Sequence, residues 1–317
     1  MAGTFLSILR SQKLLIRPGL ISQGVLLGAN VIGVSYFLKH SLLLTYTKKY
    51  NERVGIYGPD EPADELNNMM NDIITNDLKD KSSKDTPIAL YLTSGMEPTH
   101  LGTVGTTSGG FVGVPVFYEF KNEEDVKENI LIRDADKDTE VAGSKGTSNC
   151  FLLSNDAKKY GIAREILQVN TFLVYINGLV LPFGLSTILV LLYKEMNDTY
   201  KILKKPLYMR CLIYCVATLA GLSFWRYLYK NLLQYYESEV EASIAELGMD
   251  YIKGGIEHCT KELERNSLSF ELNNVESNFY NHFEDLICSL LPRGIPVRTR
   301  LEYLKMLAEQ TSNKSPK

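Results

Sequence analysis

Between Asn170 and Tyr193 the chain carries no charged side chain. A helix needs about 20 predominantly apolar residues to cross the hydrocarbon of a bilayer, so this segment is long enough to span one. The polar sequence before it, LSNDAKKYGIAREILQV, starts at Leu153. Ser154 is a favoured N-cap, and Asp156 in the first turn suits the positive end of the helix dipole. The pattern predicts a capped helix that runs unbroken into the span and couples a folded polar domain rigidly to the membrane.

Two further segments have spanning character. Gly19 to Leu38 is uncharged. Leu207 to Tyr229 has a shorter uncharged core bracketed by Arg210 and Arg226, whose long side chains can reach the headgroups. Trp225, Tyr227 and Tyr229 suit an interfacial belt. No acidic residue precedes Glu52, and residues 1–18 carry Arg10, Lys13 and Arg17 among hydroxyl and apolar residues. That composition is the one expected of a mitochondrial targeting leader, with a signal anchor for the secretory pathway as the competing reading.

The expected organisation is therefore a leader at 1–18, a first span at 19–38, a soluble α+β domain at 39–167 and a second span at 170–193. A basic loop at 194–206, a third span at 207–229 and a helical region at 230–317 follow. Positive charges gather in the leader and the loop, which the positive-inside rule places on one side, the matrix side of a mitochondrial inner membrane. Gly24 and Gly28 in the first span have the spacing that lets helices approach closely. Pro182 is placed to kink the second. These three are the candidate helix-packing residues.

In the polar regions, Leu66, Met69, Met70, Ile73, Ile74 and Leu78 recur at helical spacing. Ile88 to Thr93 reads as a strand, and Gly102 to Phe120 as a hairpin turning near Ser108 to Gly110. Residues 121–149 read as a solvated excursion. Leu232 to Tyr251 again has helical spacing, with Gly254 and Gly255 predicted to end that helix and another to begin near Ile256. Pro292 to Pro296 reads as a linker and Arg298 to Gln310 as a last amphipathic helix. The fold class expected is a mainly α membrane protein with two to three transmembrane helices and a small β-hairpin or sheet in its soluble part.

Several functions lack their groups. A net charge of −3 gives no basis for binding nucleic acid through its phosphates. The five cysteines form no CxxC pair; Cys211 and Cys215 lie one helical turn apart and read as two small apolar side chains. The glycine-rich stretch lacks a GxxxxGK[ST] pattern. The spans hold no acid, so an ion or proton path lacks its usual residues. No Ser/His/Asp or Cys/His set assembles, and the four histidines show no metal-ligand spacing.

The segment AREILQV, Ala163 to Val169, resembles AHELGHI of membrane-embedded zinc peptidases of the HtpX type. In HExxH two histidines one turn apart hold zinc and the glutamate is the general base. Here Arg164, Glu165 and Gln168 stand at those positions. The glutamate is kept and both ligands are replaced, one by an arginine that stays protonated and cannot ligate. Aligned on Gly248, the acidic positions of the later ligand helix hold Ser243 and Ala245. Arg164 and Glu165 are then expected on an ordinary helix surface. A zinc metallopeptidase-like enzyme is the disfavoured alternative, and no catalytic, cofactor-binding or metal-binding residue is assigned.

Four stretches in order resemble the transmembrane protein 177 family of the mitochondrial inner membrane: GGFVGVPVFYEF, LSNDAKKYGIAREI, YIKGGIEHCTKELERNSLSFEL and VRTRLEYLKML. The resemblance implies a multi-pass, non-enzymatic assembly factor without a cofactor. It also implies partners: cytochrome c oxidase subunit 2 and that subunit's inner-membrane chaperone, whose stabilisation supports the subunit's early maturation.

Overall fold

The computed structural model describes residues 18–52, 54–55, 58–59, 61–78, 87–93, 95–103, 106, 109–126, 149–273 and 295–314. The leader as far as residue 17, most of the 121–149 excursion, the turn residue Ser108, and Pro292 and Gly294 of the linker lie outside the described residues. The chain divides into two compact units. One combines the chain up to Leu38 with Leu173–Leu232, the other Lys39–Phe172 with the chain from Leu233 onward.

The first unit is helical. Helix α1 covers Pro18–Lys39. Helices α5, Leu173–Tyr200, and α6, Leu207–Ala245, are long and apolar enough to cross a membrane. Pro182 has no N–H to give and its ring needs room in the preceding turn. The helix takes a π-helical turn at Ile176–Val180, just ahead of it. Gly33 of α1 lies against this place. A Cβ on Gly33 would sit 2.4 Å from Pro182 Cγ and 2.7 Å from the Gly178 carbonyl oxygen, so the two backbones meet closely. Pro182 is thus at a helix contact, whereas Gly24 and Gly28 have nothing within 4 Å.

α5 and α6 form a hairpin closed by Ile202 in the connection and by Leu185, Leu189, Tyr193 and Tyr214. Four of its polar side chains pair with one another: Tyr193 and Thr218 hydroxyls lie 2.6 Å apart, and Tyr214 donates to Asn197 Oδ1 at 2.6 Å. Little of the apolar surface of α6 is covered by the chain itself. Leu212, Val216 and Leu219 are about 60% exposed, as lipid contact demands.

In the second unit, helix α2 covers Leu44–Asn51 and a minimal antiparallel pair joins β1, Val54–Gly55, to β2, Gly58–Pro59. Helix α3 runs Asp64–Asp72 and continues as a π turn through Asp77. The sheet contains β3, Ile88–Thr93, β4, Thr99–Gly102, and β5, Gly110–Pro115, in the order β3-β5-β4. β4 and β5 are the expected hairpin, with its first strand earlier than predicted, and β3 pairs parallel with β5 from Ile88↔Gly110 to Thr93↔Pro115.

Helix α4, Asn155–Val169, lies at the centre of this unit. Ala157, Tyr160, Ile162, Ala163, Ile166 and Val169 are fully buried. β4 and β5 pack on it, as does α7, Met249–Asn273, which also packs on α8, Val297–Lys314. Ser154 caps α4 as predicted, its hydroxyl accepting from the Ala157 N–H at 3.2 Å. The same hydroxyl donates to Glu257 of α7 at 2.5 Å, so the cap also ties two helices together.

Three expectations are corrected. α4 does not continue into the span: it ends at Val169, and a turn at 170–172 precedes α5. The β-branched Thr171 uses its hydroxyl on the Gln168 carbonyl at 2.8 Å, a local bond that competes with helix continuation. Gly254 and Gly255 do not break a helix, because the break falls at Gly248, which has φ 137° and ends the preceding turn. Finally, α8 extends to Lys314.

Gly254 and Gly255 serve contact instead. A Cβ on Gly254 would lie 2.3 Å from the Asp156 carbonyl oxygen and 2.9 Å from the Ala157 nitrogen, both backbone atoms at the start of α4. Backbone cannot step aside as a side chain can, so Gly254→Val should destabilise the full chain by about 3 kcal/mol. Urea unfolding of the detergent-solubilised protein checks this, and Gly24→Val, in open space, should leave the same transition unchanged.

Candidate functional site

The positions that carry the peptidase likeness lie in the second unit on one turn of α4. Arg164 and Glu165 are not on a solvated face. The Glu165 side chain is 2% exposed and that of Arg164 14%. Consecutive helical residues point about 100° apart, yet the long arginine folds back, and its Nη1 meets Glu165 Oε1 at 2.7 Å. Its Nε donates to Glu241 Oε1 at 3.1 Å. One guanidinium therefore bridges two carboxylates. Glu241 comes from the last turns of α6, just upstream of the Ser243 position at which the alignment on Gly248 had looked for an acid.

Four more groups close the site. Arg300 of α8 places its Nε 3.0 Å from Glu241 Oε1. Tyr160, one turn before Arg164, donates its hydroxyl to Glu241 Oε2 at 2.8 Å. His100 of β4 brings Nδ1 to 2.8 Å from Glu165 Oε2. The Gln168 amide lies beside both Arg164 and His100. The arrangement balances two arginines against two carboxylates and supplies both oxygens of each acid with a partner, as burial requires.

The ionisation follows. Burial alone would raise the Glu165 carboxyl, but Arg164, the His100 hydrogen bond and Arg300 outweigh it and hold it below its ordinary value. Burial opposes the Arg164 charge, and Glu165 with Glu241 more than reverses that. Burial and the Glu241 charge push the Tyr160 phenol far up, so it remains a neutral donor. A general base needs a free lone pair facing a substrate proton. Here both oxygens of Glu165 are engaged by Arg164 and His100. A guanidinium also occupies the space between the two acids, where a cation would otherwise sit.

Only Arg164, Glu165 and Gln168 of this set were marked in the sequence. Tyr160 had a signal, the i, i+4 spacing to Arg164 and again to Gln168. His100, Glu241 and Arg300 had none, since they stand 65 to 77 or more residues away along the chain. A second buried group, His258, Cys259 and Glu262 of α7, brings potential metal-ligand atoms within 4.8 Å of one another. The spacing of histidines alone had hidden it, because only one histidine takes part.

Removing Glu241 leaves the buried Arg300 guanidinium without its carboxylate and Arg164 with Glu165 alone. Glu241→Gln should cost about 3–5 kcal/mol of stability at neutral pH, read from urea midpoints in detergent. The Glu165 contribution has a defined pH sign. Its folded-state carboxyl lies below the ordinary 4.5, so its stabilisation is complete above that value and is lost as pH falls through the folded one. The stability gap between wild type and Glu165→Gln should be widest at neutral pH and close on acidification below 4.5; a gap independent of pH would contradict the assignment.

The family profile described as Transmembrane protein 177 matches residues 26–286. A zebrafish (Danio rerio) protein of that description is 24% identical over 226 residues, which cover 70% of this chain and 71% of the relative. No solved structure matches, so the likeness to zinc peptidases rests on the α4 segment alone. A match of that extent, running from α1 across both apolar helices and the whole of α7, means that the chain belongs to the transmembrane protein 177 family.

Proposed function

We propose that this chain is a non-enzymatic assembly factor of the mitochondrial inner membrane that supports early maturation of cytochrome c oxidase subunit 2 by stabilising that subunit's chaperone. The observation that carries the reading is the Arg164 guanidinium between Glu165 and Glu241, which engages the one glutamate a peptidase of this pattern would need. Family membership and the paired apolar helices support a membrane protein that holds partners. In this reading the basic leader and the 194–206 loop face the matrix. Gly24 and Gly28, with open space beside them, offer a face to a partner helix.

Affinity purification of the tagged full chain from mitochondria in mild detergent tests it. Subunit 2 and its chaperone should co-purify, and their yield should fall when Gly24 and Gly28 are both replaced by Leu while Glu165→Gln, where it still folds, leaves it unchanged. Absence of both proteins from the wild-type eluate would refute the role. Proteolysis that Glu165→Gln abolishes would favour an enzyme.

A further inference from the structure

The buried group on α7 has the makings of a metal site. His258, Cys259 and Glu262 are 4%, 0% and 5% exposed. His258 Nε2 lies 2.9 Å from the Tyr118 hydroxyl, so that nitrogen has a partner. Its other nitrogen, Nδ1, makes no hydrogen bond among the described residues although it is buried. It faces Glu262 Oε2 across 3.6 Å. That gap is too long for a good hydrogen bond. It is close to the separation of about 3.3 Å between two ligand atoms bound tetrahedrally to zinc at 2.0–2.2 Å. The Cys259 sulfur completes a triangle of ligand atoms within 4.8 Å. An orphaned imidazole nitrogen, a carboxylate one helical turn on and a thiol thus converge on one metal-sized space.

We propose that His258 Nδ1, Cys259 Sγ and a Glu262 carboxylate oxygen bind one zinc ion. Imidazole, thiolate and carboxylate together are a zinc donor set, harder than a copper(I) site and softer than a magnesium or calcium site. Tyr118 supplies the outer support: accepting from Nε2–H, it fixes the tautomer that leaves the Nδ1 lone pair for the metal. The charges suit the surroundings. One thiolate and one carboxylate neutralise Zn(II), so the loaded site adds no net charge beside the nearby arginines. Arg265 is engaged elsewhere, stacked 4.4 Å over the Phe117 ring and donating to the Cys150 carbonyl at 2.8 Å. Arg300 is engaged by Glu241. Binding releases the thiol proton to solvent and involves no redox step.

The test uses the full chain purified in mild detergent, loaded with zinc, freed of excess metal and analysed by elemental mass spectrometry. About one zinc per chain is expected. Cys259→Ser and Glu262→Gln should each abolish retention. Tyr118→Phe should weaken affinity about 10-fold or more without losing the site. Cobalt(II) in place of zinc should show a thiolate charge-transfer band that Cys259→Ser removes, and circular dichroism confirms that each variant is folded. Wild-type protein that retains no zinc overturns the proposal. So does retention by both folded ligand variants, or loss of the metal on replacing Cys211 and Cys215, the other thiol pair.

Discussion

One guanidinium decides how the second unit is assembled. Arg164 cannot shed its proton, and it sits on a helix whose neighbours are almost all apolar. Burying it is tolerable only where carboxylates surround it. Glu165 comes from its own helix, but Glu241 must come from the end of α6, and Glu241 in turn requires Tyr160 and Arg300. The position of α8 and the register of β4, through His100, are specified by the same set. Apolar packing would hold these elements together in several ways. The charge pattern is satisfied in one, and the contribution of such a network is to selecting that arrangement more than to net stability.

The membrane part follows a separate logic. α5 and α6 share a hydroxyl-rich seam, Tyr193 with Thr218 and Tyr214 with Asn197, and turn apolar side chains outward. Without water, a polar group gains most from a partner in the protein, and these four supply one another. α1 reaches α5 by a different device, the small surface of Gly33 against Gly178 and Pro182.

Elements governed by local periodicity were legible in the sequence: the apolar helices, β3, the cap at Ser154 and the last helix all follow from spacing and capping. The errors have a common cause. Gly254 and Gly255 were taken as breakers because a glycine's local preference is visible and the helix it must touch is not. The pause at 170–172 was missed because no proline or glycine marks it; Thr171 does the work with a side-chain hydrogen bond. The site was half legible. A motif can be compared position by position, so Arg164, Glu165 and Gln168 stood out. Their partners are set by tertiary contact, which periodicity does not encode.

The core of the second unit is discontinuous in the chain, and this orders its biogenesis. Residues 39–172 and those from 233 onward share one interior, so they lie on the same side of any membrane, and α5 and α6 must cross it as a pair or not at all. When α4 leaves the ribosome, the counter-charges of Arg164 beyond Glu165 have not been made. Glu241 is 77 residues later and Arg300 later still. The interior therefore cannot close until the segment beyond Leu233 has reached α4. Until then α4 exposes an apolar surface and an unmatched cation, the state most in need of a chaperone. A chain of this design cannot complete this core before its last third has been made and folded back onto α4.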